Sequence, residues 1–405
     1  MKFIDLVKQK YQSIKIQHSE VIRPPKSHYF GIVGSTNMED VIYSVQLEIK
    51  KDVILSIFSP FQWEWNKFIF EPSPIEFEYR FKMEYVASFD PNNNSGQKSM
   101  FGQRQTGRFN KVVDIHSDVL IPSCHFIQIR QLYEFLNSNN VINFDLINKT
   151  GELRYLVYKG FKSQIMCIIV TTKKLPINLI ENINKIFGRT FTSIVFLENN
   201  NLNNDNASGV KYYTINQDYL LLDILDKKFK VSYDSFFQNN ISCLPKILDF
   251  VQSVLNQYQN TIRNYVFVDF FCGIGTFGIF LSKYFSKVCF IESHTGNISD
   301  LYYNILLNNI NNATIQQIDL YKSLDLEFDH NSVFFLDPPR TGLGKHLIST
   351  INKVKPFLLI YLSCNPATQF NDLCALTDYK IISARGFDMF PNTFHAENCI
   401  ILQKV

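Results

Sequence analysis

Residues 266–278 constrain the fold more than any other stretch of this chain. Val266, Phe267 and Val268 lead through Asp269 and Phe271 to Gly273, Gly275 and Gly278. An apolar run that passes through a glycine turn into a helical pattern reads as a buried strand entering a helix. That unit belongs to α/β folds, which hold nucleotide-like ligands at the carboxyl ends of parallel strands. Glu292 closes the next apolar run, roughly 20 residues on, where a carboxylate can accept hydrogen bonds from ribose hydroxyls.

The texture downstream agrees. From about residue 240 a helix (Leu244–Gln257) leads into apolar strands near 265–271, 287–292, 314–318, 332–336 and 357–362, separated by helical segments. This is the pattern of an open, mostly parallel sheet. The apolar run 398–403 would close that sheet as an edge strand. Upstream, 41–51 has helical spacing, while 111–115 and 163–170 read as strands, so residues 40–250 are α+β in character. Two asparagine-rich stretches, 91–96 and 198–209, are surface loops by composition. No internal repeat is visible. A chain of 405 residues is too long for one small core. We divide it into an N-terminal segment (1–70), a central domain (71–235) and a C-terminal domain (236–405).

Bulk composition excludes several classes. With 46% apolar and 19% charged residues, the chain can bury a globular interior. A formal charge of +3 neither demands nor excludes nucleic acid. The charged N-terminus lacks an apolar signal core, and no run approaches the roughly 18 apolar residues of a membrane span. The 8 cysteines are scattered, with neither a disulfide framework nor a CxxC zinc site. A reduced, cytoplasmic setting follows, with most cysteines serving as small core residues.

Chemistry concentrates in three later runs: Asp337-Pro338-Pro339-Arg340, Ser363-Cys364-Asn365-Pro366, and the stretch from Phe390 through His395 to Glu397. They supply a carboxylate with an arginine, a candidate nucleophile and a candidate base. Cys364 ends an apolar strand just before a proline-containing turn into a helix, whose N-terminus would favour the thiolate. Taken alone, a cysteine in such a strand is more often a plain core residue, and a single histidine is more often structural.

In their order and spacing these runs resemble the RNA uracil-C5 methyltransferase family. The glycine loop alone would suit a nicotinamide dinucleotide as well as S-adenosylmethionine; the resemblance decides for the latter. It implies an α/β protein with a C-terminal Rossmann-like class I methyltransferase sheet, mostly parallel with an antiparallel edge strand, and an α+β RNA-binding region before it. It further implies that Cys364 adds to C6 of uracil and that Glu397, beside His395, removes the C5 proton. Gln238, Phe271, Gly273, Glu292 and Asp337 match cofactor positions; Asp319 could reach the adenine side. Thr276 matches a pocket-lining position where some members carry asparagine. Arg340, Arg80, Lys82 and Arg154 are candidate RNA contacts. Related amino-methylating enzymes place an aromatic ring where Arg340 stands, which argues against N-methylation.

One departure is chemical. Residues 27–36 align with a family segment that supplies cysteines to an iron–sulfur cluster, yet those places hold Ser27, Val33 and Thr36. The fourth falls at Asp118. Thiolates hold such clusters, so the resemblance implies a member without metal, in which apolar packing of Tyr29, Phe30, Ile32 and Val33 ties this segment to the Asp118 strand. Only about 25 residues precede it, too few for the small RNA-binding barrel that many members carry. The segment resembles ribosomal-RNA members more, so 23S rRNA is favoured over tRNA. The competing readings are an inactive RNA-binding descendant and a nicotinamide-dependent oxidoreductase. Neither a membrane nor an obligate protein partner is implied.

Overall fold

Apolar residues spaced three to five apart put a greasy stripe on each of the first two helices, and both stripes are buried. The computed structural model describes residues 2–90, 98–203, 205–322 and 327–405. It opens with α1 (Phe3–Gln17), α2 (Tyr43–Phe58) and the short strand β1 (Ile69–Glu71). Phe3, Val7 and Tyr11 of α1, with Ile49, Val53, Ile54 and Phe58 of α2, share a core with the C-terminal sheet. The expected helix at 41–51 is α2, which runs a further two turns.

The central region consists of β2 (Lys82–Phe89), β3 (Ser99–Gln105), β4 (Arg108–Asp114), α3 (Ser123–Ser138), β5 (Leu153–Phe161), β6 (Gln164–Thr171), α4 (Ile177–Phe187), β7 (Ser193–Glu198), β8 (Val210–Asn216), β9 (Tyr219–Ile224) and β10 (Lys227–Ser232). Among the described residues, the first seven strands form one sheet in the order β4-β3-β2-β5-β6-β7-β8. All its pairs are antiparallel except β6–β7, which α4 links as a crossover. β9 and β10 pair as a separate hairpin. The loop expected at 91–96 lies outside the described residues; that at 198–209 connects β7 to β8.

Next come α5 (Leu244–Gln257), α6 (Gln259–Ile262), β11 (Val266–Phe270), α7 (Thr276–Leu281), β12 (Lys287–Glu292), α8 (Thr295–Leu307), β13 (Ala313–Gln317), β14 (Ser332–Leu336), α9 (Gly344–Val354), β15 (Leu358–Ser363), α10 (Pro366–Cys374), β16 (Tyr379–Phe387) and β17 (Glu397–Lys404). With β1 they make a sheet ordered β1-β16-β17-β15-β14-β11-β12-β13. Both faces are covered, which explains the continuous apolar runs. Phe267, Phe335 and Ile360 face the core shared with α5, α7 and α8. Their neighbours Val268, Phe334 and Leu359 face the core shared with α1, α2 and α9. The divisions expected near 70 and 235 fall within β1 and just after β10.

One expectation needs correcting. β17 is antiparallel as expected, but it lies inside the sheet, between β15 and β16, and the edge is β1, parallel to β16. β16 escaped the sequence reading because its side chains alternate poorly: Lys380, Ser383 and Arg385 stand among its apolar residues, and only half of the strand is buried.

A buried ion pair pins the N-terminal helices to this sheet. Lys50 of α2 and Asp388, after β16, lie 2.6 Å apart with both side chains fully buried. Burial lowers the Lys50 pKa, and the Asp388 charge opposes that shift. Removing one partner strands a buried charge, so Lys50→Met should cost about 3–5 kcal/mol. The double variant Lys50→Met/Asp388→Leu should recover most of it, read from urea-denaturation midpoints.

Candidate active site

The cleft forms where the strands of the C-terminal sheet end. β11 runs into a turn in which Phe271 (φ +58°), Gly273 (φ +56°) and Gly275 (φ +88°) take left-handed conformations. For Phe271 this is a strained geometry of the kind that gathers at functional sites. Gly278 is needed for packing: a Cβ there would lie 2.2 Å from the Phe290 ring. The turn is held from both sides. Asp269 accepts from the Gly278 N–H at 2.8 Å, and Glu292 accepts from the Gly273 N–H at 2.9 Å. Glu292 also accepts from the backbone of Ser293 and His294 at 2.7 and 2.8 Å. Its carboxylate is thereby fixed in the cleft lining.

The cleft has a volume of about 480 Å³. It brings together Gln238, Phe271, Gly273, Glu292, Asp319, Asp337, Arg340, Cys364 and Glu397. Cys364 and Glu397 become neighbours through strand register. β15 and β17 pair with Ser363 opposite Asn398, so the residue just after β15 and the first on β17 emerge side by side at the sheet's end. Gln238 Nε2 donates to Asp337 Oδ2 at 3.2 Å.

Burial opposes ionisation at the inner end of the cleft. Burial, then the carboxylates of Glu397 and Asp337, push the Cys364 thiol up to about 12, opposed by Arg340. Burial raises Asp337 to about 7, against its bond from Gln238. Glu397, 6% exposed, is held well above the usual carboxylate range by burial and by Asp337. Burial, with Arg340, Lys50 and Arg80 nearby, lowers His395 to about 4, so it is a neutral ring. The sequence favoured a thiolate at Cys364; burial beside two carboxylates instead raises the thiol, and α10 begins only at Pro366.

The sequence-derived positions separate into two groups. Thr276 is buried at the start of α7 and lines a smaller void behind the cleft. Arg80 and Lys82 stand outside the cleft: Arg80 Nε donates to the Lys82 carbonyl at 3.1 Å, and Lys82 pairs with Glu84 at 2.7 Å. Arg154 is no RNA contact. Only 1% exposed, it donates to the carbonyls of Asn199 and Asn201 at 3.1 and 3.0 Å and lies over the Phe144 ring. Sequence reasoning missed Asn239, Phe390 and Tyr321, which also line the cleft. The Asn239 Oδ1 is buried and has no partner among the described residues. Phe236 also lines the cleft and is 57% exposed at the mouth. Their one sequence signal is adjacency to residues already singled out.

Residues 27–36 carry no thiol. Ser27 N–H donates to Glu39 at 2.6 Å, and Asp118 accepts from Tyr85, Gln103 and the Leu120 N–H. Among the described residues no group of three or more His, Cys, Asp or Glu could hold a metal. Asp118 lies in the loop after β4, and the expected apolar tie to it is found in part: Tyr29 packs against the core that holds Ile115 and Leu120. Val33 is buried, but Ile32 is 44% exposed. The join is made largely by hydrogen bonds: Val33 bridges Gln105, Thr106 donates to Ile32, and the Tyr29 hydroxyl accepts from the His116 N–H at 2.8 Å.

With this geometry in view, the sequence profile of the tRNA (uracil-5-)-methyltransferases matches residues 42–322 and 315–405. The chain belongs to this family. An uncharacterised RNA methyltransferase of Caldanaerobacter subterraneus is 28% identical over 387 residues, covering 93% of this chain and 84% of that protein. One from Thermotoga maritima is 28% identical over 403 residues, covering 98% and 88%. The solved Pyrococcus abyssi tRNA (uracil-54, C5)-methyltransferase, in complex with S-adenosyl-L-homocysteine, superposes with a TM-score of 0.70 at 25% identity, covering 90% and 84%. This chain is accordingly an RNA (uracil-5-)-methyltransferase using S-adenosyl-L-methionine. The cleft fits that cofactor: Gly273 presents an open face, and the unpartnered Asn239 oxygen awaits a donor. No helix among the described residues is long and apolar enough to cross a membrane.

The raised thiol predicts selective inertness. Iodoacetamide at pH 8 should label the exposed Cys124 and Cys374 well before Cys364, read by peptide mass spectrometry. Asp337→Asn should speed labelling of Cys364.

Proposed function

We propose that the chain methylates C5 of a uridine through a covalent bond between Cys364 and C6. The observation that carries this reading is the register that sets Cys364 beside Glu397, with Asp337 and Arg340 in the same cleft. Phe271, Gly273, Glu292, Gln238 and Asp337 would hold the cofactor, with Asn239 offering a further acceptor. S-adenosyl-L-methionine, when bound, supplies a methyl group activated on a sulfonium.

The remaining steps belong to the chain's own residues. C5 of uracil is a poor nucleophile until a thiolate adds to C6. The Cys364 proton needs an acceptor, and Asp337, ionised above about pH 7, is suited to take it. Sulfur then bonds to C6, the C5–C6 electron pair moves toward O4, and C5 becomes nucleophilic. Once C5 carries the methyl group, Glu397 removes its remaining proton. The C5–C6 double bond reforms, the C6–S bond breaks, and the thiol regains a proton. Glu397 must first ionise, which the Arg340 charge favours. Arg340 also suits a phosphate or the surroundings of a flipped base, and Arg80 and Lys82 are proposed to meet RNA outside the cleft. For the target, the Pyrococcus relative's uracil-54 of tRNA supports a transfer RNA over the 23S rRNA favoured from residues 27–36. A cytoplasmic site of action follows from such a substrate.

Cys364→Ala should abolish methylation and leave cofactor binding intact, measured by calorimetry with S-adenosylhomocysteine. Glu397→Gln should still form the adduct and accept the methyl group, so a methylated, denaturation-resistant RNA–protein complex accumulates. Because Asp337 must be ionised, wild-type kcat/KM should rise with pH through about 7 and level above it. Mapping 5-methyluridine in tRNA and 23S rRNA from a deletion strain identifies the target. Loss from neither RNA would refute the proposed activity on them.

A further inference from the structure

The loop of residues 388–396, which ends at Glu397, is bonded along its length to the N-terminal part of the chain. Lys50 Nζ donates to Asp388 at 2.6 Å and to the Phe390 carbonyl at 3.2 Å. The Tyr79 hydroxyl donates to the Pro391 carbonyl at 3.2 Å, and Phe394 packs edge-on against Tyr11. Asn392 is the hub. Its N–H donates to Gln46 Oε1 at 3.0 Å, and its carbonyl accepts from the Met38 N–H at 2.9 Å. Its Oδ1 accepts from Gln46 Nε2 and Arg23 Nη2, both at 3.0 Å, and its Nδ2 donates to the Glu76 carbonyl at 3.3 Å. Every polar group of this buried residue ends on residues 23–76.

The partners are themselves fixed. Gln46, fully buried, also donates to the carbonyls of Met38 and Val41 at 2.9 Å. Arg23 is held by the Glu76 carboxylate and the Glu39 carbonyl. Downstream of the hub, Thr393 Oγ1 donates to the Phe390 carbonyl at 2.7 Å and accepts from the His395 N–H at 3.2 Å. The fixed turn thus delivers Phe390 and Glu397 into the cleft. A buried hub with each of its polar groups paired favours one conformation, and a catalytic group displaced by about an ångström can lose about a hundredfold in rate.

We propose that Asn392, clamped by Gln46 and Arg23, is the positioning residue for Glu397, so the N-terminal segment is a working part of the active site. The inference rests on Glu397 being the base at C5. Two soluble variants test it. Asn392→Gly keeps the left-handed backbone (φ +63°) and removes the side-chain bonds; Gln46→Ala removes two of the hub's bonds from the other side and decides the matter if the first fails to fold. Each should lower kcat about ten- to hundredfold, leave both KM values within about twofold, and accumulate the methylated RNA–protein adduct, because only proton removal is slowed. Unchanged kcat, or a fall without adduct, would overturn the proposal. Wild type and Glu397→Gln run alongside separate the two failures: no adduct from Glu397→Gln refutes the base role, whereas adduct there but not in the hub variants refutes the hub.

Discussion

The register between β15 and β17 is the constraint on which the cleft depends. Ser363 faces Asn398, and that one pairing decides that Cys364 and Glu397 leave adjacent strands at the same end. Because side chains alternate across a strand, a slip of one residue would turn Glu397 to the opposite face. β17 is antiparallel to its neighbours on both sides, so its first residue lies at the level of the parallel strands' last ones. The interior position of β17 protects this arrangement, since pairing on both edges leaves little freedom to slide.

A second consequence is electrostatic. Strand ends of a doubly covered sheet are poor in water, and the cleft gathers Cys364, Asp337 and Glu397 with one guanidinium among them. Desolvation and their mutual field oppose ionisation of each: Cys364 is pushed up to about 12, Asp337 to about 7, and Glu397 well above the usual carboxylate range. Clefts with such shifted groups are where functional sites gather.

How much of this was legible in the sequence follows from what sets each feature. Strands buried on both faces announce themselves as continuous apolar runs, so β11, β12, β14 and β15 read to within a residue or two. β16, only half buried and interrupted by Arg385, did not, and without it β17 looked like an edge. The cleft residues were legible because their spacing resembles a known family's. Their ionisation was not, since burial and the mutual field of Asp337 and Glu397 exist only in three dimensions. Arg154 shows the same limit from the other side: a basic residue in a strand reads as a surface contact until Asn199 and Asn201 fold over it. Asn392 stands in a run the sequence already marks, but its bonding role was hidden because its partners lie more than 300 positions away.

The account stands or falls on a bond between one sulfur and one carbon. RNA carrying 5-fluorouridine at the target cannot release a base-removable C5 proton, so a covalent mechanism should stall with the chain attached. Incubation with such RNA and S-adenosyl-L-methionine, followed by nuclease and protease digestion, should yield a peptide containing Cys364 bearing a methylated fluoropyrimidine nucleotide. Attachment at another residue, or no adduct from protein that methylates ordinary RNA, would contradict the mechanism.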